Sequence, residues 1–207
     1  MRARVVLLAG PSGCGKSRLA RASGLPVLGL DDFYRDGGDP GLPRSADLGI
    51  VDWDDPASWD AAAAVDALEH ACRHGWVDAP VYDIAHDRAT AVRRFEVGAA
   101  PVYVAEGIFA AEVVPAARAR GLVADAIVVA RAPWKNFCRR LLRDLAERRK
   151  PPRVLLERGA ALARAERAVL ERQVALGADP CPAPEVLRRL RAAAATPPPP
   201  AARRTPA

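Results

Sequence analysis

The apolar run Val5-Val6-Leu7-Leu8-Ala9 leads directly into Gly10-Pro11-Ser12-Gly13-Cys14-Gly15-Lys16-Ser17, and this junction constrains the chain more than any other feature. A short apolar run ended by a glycine-rich turn reads as a buried strand, from about Arg4 to Ala9. The turn has the spacing G-x-x-x-x-G-K-[ST] of a phosphate-binding loop, with the preceding strand and following helix that the pattern requires. Gly10, Gly13 and Gly15 carry no Cβ, so the backbone N–H groups around Ser12 and Cys14 can turn inward toward an anion. Lys16 is expected to reach the β- and γ-phosphates, and the Ser17 hydroxyl to hold Mg²⁺. The helix opening near Lys16 aims the positive end of its dipole at the same point. ATP, or GTP, is the ligand this predicts.

The rest of the composition narrows the class. With 207 residues, half of them hydrophobic, the chain has material for one packed domain. The net charge of +6 invites a nucleic-acid reading, but lysine occurs only at 16, 135 and 150 and arginine supplies the remainder. No aromatic residues are interleaved among the densest arginines to stack bases, so no nucleic-acid partner is expected. The cysteines at 14, 72, 138 and 181 form no C-x-x-C pair, which suits a reduced cytoplasmic protein. No apolar stretch approaches a bilayer's thickness, so no membrane partner is expected either. Self-association is left open.

Alternating periodicities predict a helix over about 16–23, a strand over 27–30 and a loop over 35–55. A helix then runs from Pro56 to about His74, with Trp59, Ala63, Leu68 and Cys72 among its buried positions, and Gly75 stops it. Short strands over 77–82 and 91–97 suggest a flap, spanning about 77–97. A strand at 102–105, a helix over 110–120 and a strand at 126–129 follow. Helices are predicted over 133–149, 154–176 and 184–191. The Ala/Pro/Arg tail, 192–207, lacks the means to build a core and reads as disordered. The domain is therefore bounded at 1–191. Strands alternating with helices give an α/β fold, a parallel sheet with helices on both faces. Gly10, Asp31 and Glu106 all fall at carboxyl ends of strands, where such sheets bind ligands.

Phosphoryl transfer to a hydroxyl needs a carboxylate to take the proton, and cations over the moving group. Asp31 is the first candidate base and Asp32 the second, since they differ only in which way each points from the strand end. Glu106 is a candidate for Mg²⁺. Arg139, Arg140, Arg143, Arg148, Arg149 and Lys150 crowd the end of one helix beside Pro151-Pro152, in the pattern of a lid over about 139–153. His70 and His74, with Cys72 between them, have helical metal-pair spacing but no evident third ligand.

An ordered series of segments resembles the uridine kinase branch of the phosphoribulokinase/uridine kinase family. After the phosphate loop, Asp31-Asp32-Phe33-Tyr34 is similar to its D-S-F-Y and Asp52-Trp53-Asp54-Asp55-Pro56 to its N-F-D-H-P. Pro80 to Arg88 is similar to P-x-Y-D-F-x-x-H-x-R, Glu106-Gly107-Ile108-Phe109 to E-G-I-L, and Arg140 to Arg148 to R-x-x-R-D-x-x-E-R. The resemblance implies a P-loop NTPase fold with a small flap and an Arg-rich helical lid. It also implies ATP-dependent phosphorylation of a nucleoside 5′-hydroxyl, uridine or cytidine. On it, Asp31 is the base, with Lys16 beside it in catalysis. Ser17 and Glu106 attend Mg²⁺. Asp54 holds the ribose hydroxyls, Trp53 packs on the pyrimidine, and Tyr82 and His86 read the base edge. Arg140 reaches the substrate, and Arg143 and Arg148 reach the nucleotide. The chain departs from the pattern in three places. Tyr82 to His86 is one residue short, Ile84 stands where an aromatic residue is usual, and Arg149-Lys150 replaces Gly-Arg. A kinase for another small alcohol (a sugar or pantothenate), a regulatory ATP-binding protein and a nucleic-acid-binding ATPase are the competing readings.

Overall fold

The computed structural model describes residues 1–45, 49–130 and 167–195. Its centre is β1 (Arg4–Ala9), whose residues from Val5 onward are buried on both faces of the sheet. Val5, Leu7 and Ala9 face one core cluster while Val6 and Leu8 face the other. That two-sided burial is why the strand reads as an unbroken apolar run rather than an alternating one. The same division holds for β5 (Val102–Glu106), where Tyr103 and Ala105 oppose Val102 and Val104. It holds again for β6 (Val123–Val129), with Ala126 and Val128 against Ile127 and Val129.

With β2 (Val27–Gly29) and β7 (Asp179–Cys181), these strands make a five-stranded sheet in the order β2-β5-β1-β6-β7. Every neighbour is parallel, with Leu8 opposite Glu106, Gly29 opposite Glu106, and Ala9 opposite Val128. One face carries α1 (Lys16–Ala22) and α4 (Ala183–Ala194), through Leu19, Ala20, Val186 and Leu190. The other carries α2 (Ala61–His74) and α3 (Val114–Ala119). This is the α/β architecture expected, with strand tips brought to one edge.

The details differ instructively. The helix predicted from Pro56 is two elements, a 3₁₀ turn over Pro56–Ser58 and then α2. Trp59 between them is extended, and its indole N–H donates to the Leu30 carbonyl at 2.8 Å. Two aspartates restart the backbone: Asp55 accepts from Ala57 N–H and Asp60 from Ala63 N–H. Ala63, expected inside, is exposed in that first turn, and the buried stripe runs through Ala64, Val65, Ala67, Leu68, Ala71 and Cys72. The helix predicted over 110–120 is shortened to α3 because turns occupy 108–113. Strand β7 was not anticipated. It contains Pro180, which an edge strand tolerates because an outward-facing N–H is not needed there. The last helix reaches Ala194, three residues into the tail expected to be disordered.

The flap is an antiparallel hairpin of β3 (Trp76–Asp83) and β4 (Arg88–Glu96), separate from the main sheet. Its register shifts between Val81 and Tyr82. Helical residues 167–175 pack back toward the α2/α3 face through Leu170 and Leu176 beside them. Among the described residues, no helix is long and apolar enough to cross a membrane. The lid expected over 139–153, including Arg140, Arg143 and Arg148, lies outside the described residues.

Candidate active site

The loop after β1 is built as its glycines demand. Gly10, Gly13 and Gly15 have φ of 143°, 81° and 94°, conformations that side-chain-bearing residues rarely adopt. Cys14 is fully buried beneath the loop, its Sγ 3.0 Å from where a Gly10 Cβ would stand. It is a small packing residue in the loop floor. Lys16 opens α1 and is only 6% exposed. Its ammonium donates to the carbonyls of Gly10 at 2.8 Å and Pro11 at 3.3 Å, which holds the charge over the loop.

Glu106 ends β5 directly beside the loop. Its carboxylate accepts the Ser17 hydroxyl and lies in the field of Lys16, Asp31 and Arg21. Burial pushes the Glu106 carboxyl above its ordinary range; the Ser17 bond and Lys16 oppose that, and Asp31 adds to it. Oε2 is buried without a hydrogen-bond partner. An orphaned carboxylate oxygen next to a loop serine is an oxygen donor set suited to a hard divalent cation, so these residues fit Mg²⁺.

The two aspartates after β2 diverge. Asp31 turns toward β5, where Oδ1 accepts the Ile108 N–H at 2.8 Å. A Cβ on Gly107 would stand 2.8 Å from that same oxygen and 3.0 Å from the Leu30 Cβ, so the two strand tips can approach this closely only with glycine at 107. Asp32 turns instead to the hairpin. Its Oδ1 accepts the Tyr82 N–H at 3.2 Å and its Oδ2 lies 3.8 Å from Arg93. The ladder irregularity before Tyr82 coincides with this bond across to the strand tip. Replacing Asp32 with Ala is therefore expected to loosen the hairpin rather than the phosphate loop. Acceptor KM should rise about tenfold, the worth of roughly one hydrogen bond of 1.5 kcal/mol, while ATP KM stays put in steady-state kinetics.

An aromatic wall stands between hairpin and sheet. Tyr34 packs edge-on to Trp53 at 5.6 Å between centroids, and tilted on Tyr82 at 5.5 Å. Trp53 and Tyr82 meet at 6.2 Å, and Phe109 closes the base of the cluster 6.0 Å from Tyr34. The Tyr34 hydroxyl donates to the Trp53 carbonyl at 3.2 Å, and that of Tyr82 to the Arg35 carbonyl at 3.3 Å. Burial pushes the Tyr34 phenol up, and Asp31 and Asp54 reinforce the shift, which puts both carboxylates in electrostatic reach of this wall. Burial likewise pushes the Tyr82 phenol up to about 12. Tyr34 and Phe109 were not among the expected site residues. Their signal was their place, each three residues after a strand-tip acid, Asp31 and Glu106.

His86 is not brought to this wall by any bond of its own. It sits in the hairpin turn, its Nδ1 2.6 Å from Asp83 Oδ2, largely exposed beside the equally exposed Ile84. The rings of His70 and His74 lie 4.4 Å apart between centroids, tilted by 39°. Among the described residues, no three His, Cys, Asp or Glu side chains group to hold a metal.

Comparison with known proteins locates the architecture. No protein-family model matches the sequence, and neither does any curated protein. Among solved structures, the chain is similar to a Silicibacter sp. TM1040 protein ascribed the role of a fructose transport system kinase. The TM-score is 0.57 at 20% identity, covering 81% of this chain and 85% of that one. It is also similar to a Bacillus stearothermophilus protein ascribed a uridine kinase role, at TM-score 0.45, 17% identity, and coverage of 66% and 76%. The protein YGR205w follows at 0.35, 19% identity, and coverage of 52% and 45%. The first of these likenesses shows a shared fold, the α/β arrangement of a five-stranded parallel sheet with helices on both faces.

Proposed function

We propose that this chain transfers the γ-phosphoryl group of ATP to the hydroxyl of a small alcohol, with a nucleoside 5′-hydroxyl, uridine or cytidine, as the first candidate. The observation that carries the reading is Asp31, fixed through Oδ1 by Ile108 N–H at the same sheet edge as Lys16 and Glu106. A carboxylate held by one oxygen has the other to receive a proton. In this reading the acceptor oxygen attacks the γ-phosphorus, the bond to ADP breaks, and the hydroxyl proton passes to Asp31. Lys16 and the loop N–H groups hold the phosphates and balance their charge. Ser17 and Glu106 would hold Mg²⁺, which when bound neutralises charge on the β- and γ-phosphate oxygens.

The nucleoside preference rests on the aromatic wall. Trp53 and Tyr34 would offer faces and edges to a planar base, and Asp54, near enough to act on the Tyr34 phenol, would accept from the ribose diol. A second reading, transfer to a sugar or another alcohol without a base, is favoured by the hairpin turn, where His86 is committed to Asp83. A fructose-related role ascribed to a protein of the same fold points the same way. A panel of acceptors with coupled ADP detection separates them. Uridine and cytidine should release ADP well above buffer. ADP release with a sugar or pantothenate alone would reassign the acceptor, and no release with any alcohol would leave a regulatory nucleotide-binding protein.

A further inference from the structure

We propose that Gln173 is a positioning residue for the phosphoryl-transfer centre: its buried amide fixes the backbone of Ile108 and, through Ile108, the carboxylate of Asp31. The role of Asp31 is that given under Proposed function.

Gln173 is 4% exposed, and with Lys16 and Ser58 it is one of three buried polar or charged residues among those described. Its Nε2 donates to the Ile108 carbonyl at 2.9 Å. The N–H of the same residue donates to Asp31 Oδ1 at 2.8 Å. One backbone unit is thus gripped at both ends, by a helix on one side and by the candidate base on the other. The amide can sit only one way round, because a carbonyl oxygen accepts from N–H and repels another oxygen. Oε1 is consequently left buried with no partner. Such a group carries a desolvation cost that leucine or methionine would avoid, so burial alone does not explain the residue.

The surroundings turn this contact into a clamp. The neighbouring Arg172 forms two bonds to Glu112, both 2.9 Å, at the far end of the same turn. Gly107 is already pressed against Asp31 with no room for a Cβ. A turn held at Ile108 and Glu112 and packed flush at Gly107 has no slack. Movement of Ile108 is therefore passed on to Asp31, and misplacing a reacting group by about 1 Å can cost on the order of 100-fold in rate.

The test uses the full chain with Gln173→Leu, and Gln173→Met as the closer volume match should the leucine variant melt early. Hydrogen exchange of the segment containing Ile108 should accelerate at least tenfold while β1 stays protected. With the best acceptor from the panel, kcat should fall about 10- to 100-fold with ATP affinity and melting temperature little changed. In an Asp31→Asn background, the same substitution should cost less than twofold more, because its effect runs through Asp31. Unchanged exchange together with full kcat overturns the proposal. So does a loss that multiplies fully in the Asp31→Asn background, which would place the effect elsewhere. If Asp31→Asn itself turns over normally, the assignment of the base fails, and the exchange arm, which needs no acceptor, still decides whether Gln173 holds Ile108.

Discussion

Asp31→Asn should lower kcat by about 10²- to 10⁴-fold and leave ATP binding nearly intact, the span a positioned general base contributes. The described bond of the Asp31 side chain is to Ile108 N–H on the neighbouring strand tip. Asparagine keeps the size and, through its carbonyl oxygen, can keep that bond. What it loses is the capacity to take a proton. Steady-state turnover alongside calorimetric ATP titration checks both halves. Near-normal turnover would remove Asp31 from the role, and lost ATP binding would show that the substitution disturbs the loop instead. Asp32→Ala is the internal contrast: its carboxylate faces Tyr82 and Arg93, so acceptor KM is the parameter that should move.

That contrast also marks how far the amino-acid sequence reaches. Two adjacent acids at a strand end are interchangeable on paper. They are told apart by N–H groups 77 and 50 residues away, at Ile108 and Tyr82. No local pattern encodes such pairings. The elements positioning the site were legible because each is locally overdetermined. The phosphate loop combines an apolar strand, three glycines that must take positive φ, and a helix start. Tyr103, by contrast, falls in an apolar run that reads as a strand and is fully buried, but the partner of its hydroxyl, the Leu68 carbonyl at 3.1 Å, is not encoded in any local pattern.

The misses have the same physical root. Asp179-Pro180-Cys181 has neither length nor alternation, and becomes a strand because β6 offers it an edge. The break at Trp59 exists because an indole N–H bonds to Leu30, 29 residues away. His86 belongs to a motif whose spacing is one residue short here, and the hairpin turn gives it Asp83 as a partner. Gln173 did leave a trace: it falls three residues after Leu170 and three before Leu176, a polar residue on an otherwise apolar helical stripe. Only the distance to Ile108 gives that trace a meaning.

Glu106→Gln should separate stability from function most sharply. Burial is the largest influence on Glu106, and it holds the carboxyl above its ordinary range. The folded protein therefore binds more protons than the unfolded chain between the ordinary and the raised value. Stability tied to this group is full below about pH 4.5 and is lost as the pH rises through the raised value. At neutral pH the buried charge is a burden on the fold. Glutamine removes the charge while its carbonyl can still accept the Ser17 hydroxyl, so the variant should melt at a higher temperature than the parent at pH 7. The advantage should shrink as the pH is lowered toward 4.5. Activity should go the other way. With the carboxylate beside Ser17 gone, apparent Mg²⁺ affinity should weaken by about 10- to 100-fold, the usual effect of losing a group that orients or supplements a metal ligand. Thermal melts across pH and a Mg²⁺ titration of turnover read the two effects independently. A variant that melts lower at pH 7 yet keeps the parent's Mg²⁺ dependence would mean that Glu106 serves the fold and not the metal. A buried acid with one carboxylate oxygen unpartnered, kept at a strand tip against the interest of stability, is the pattern expected of a residue retained for what it binds.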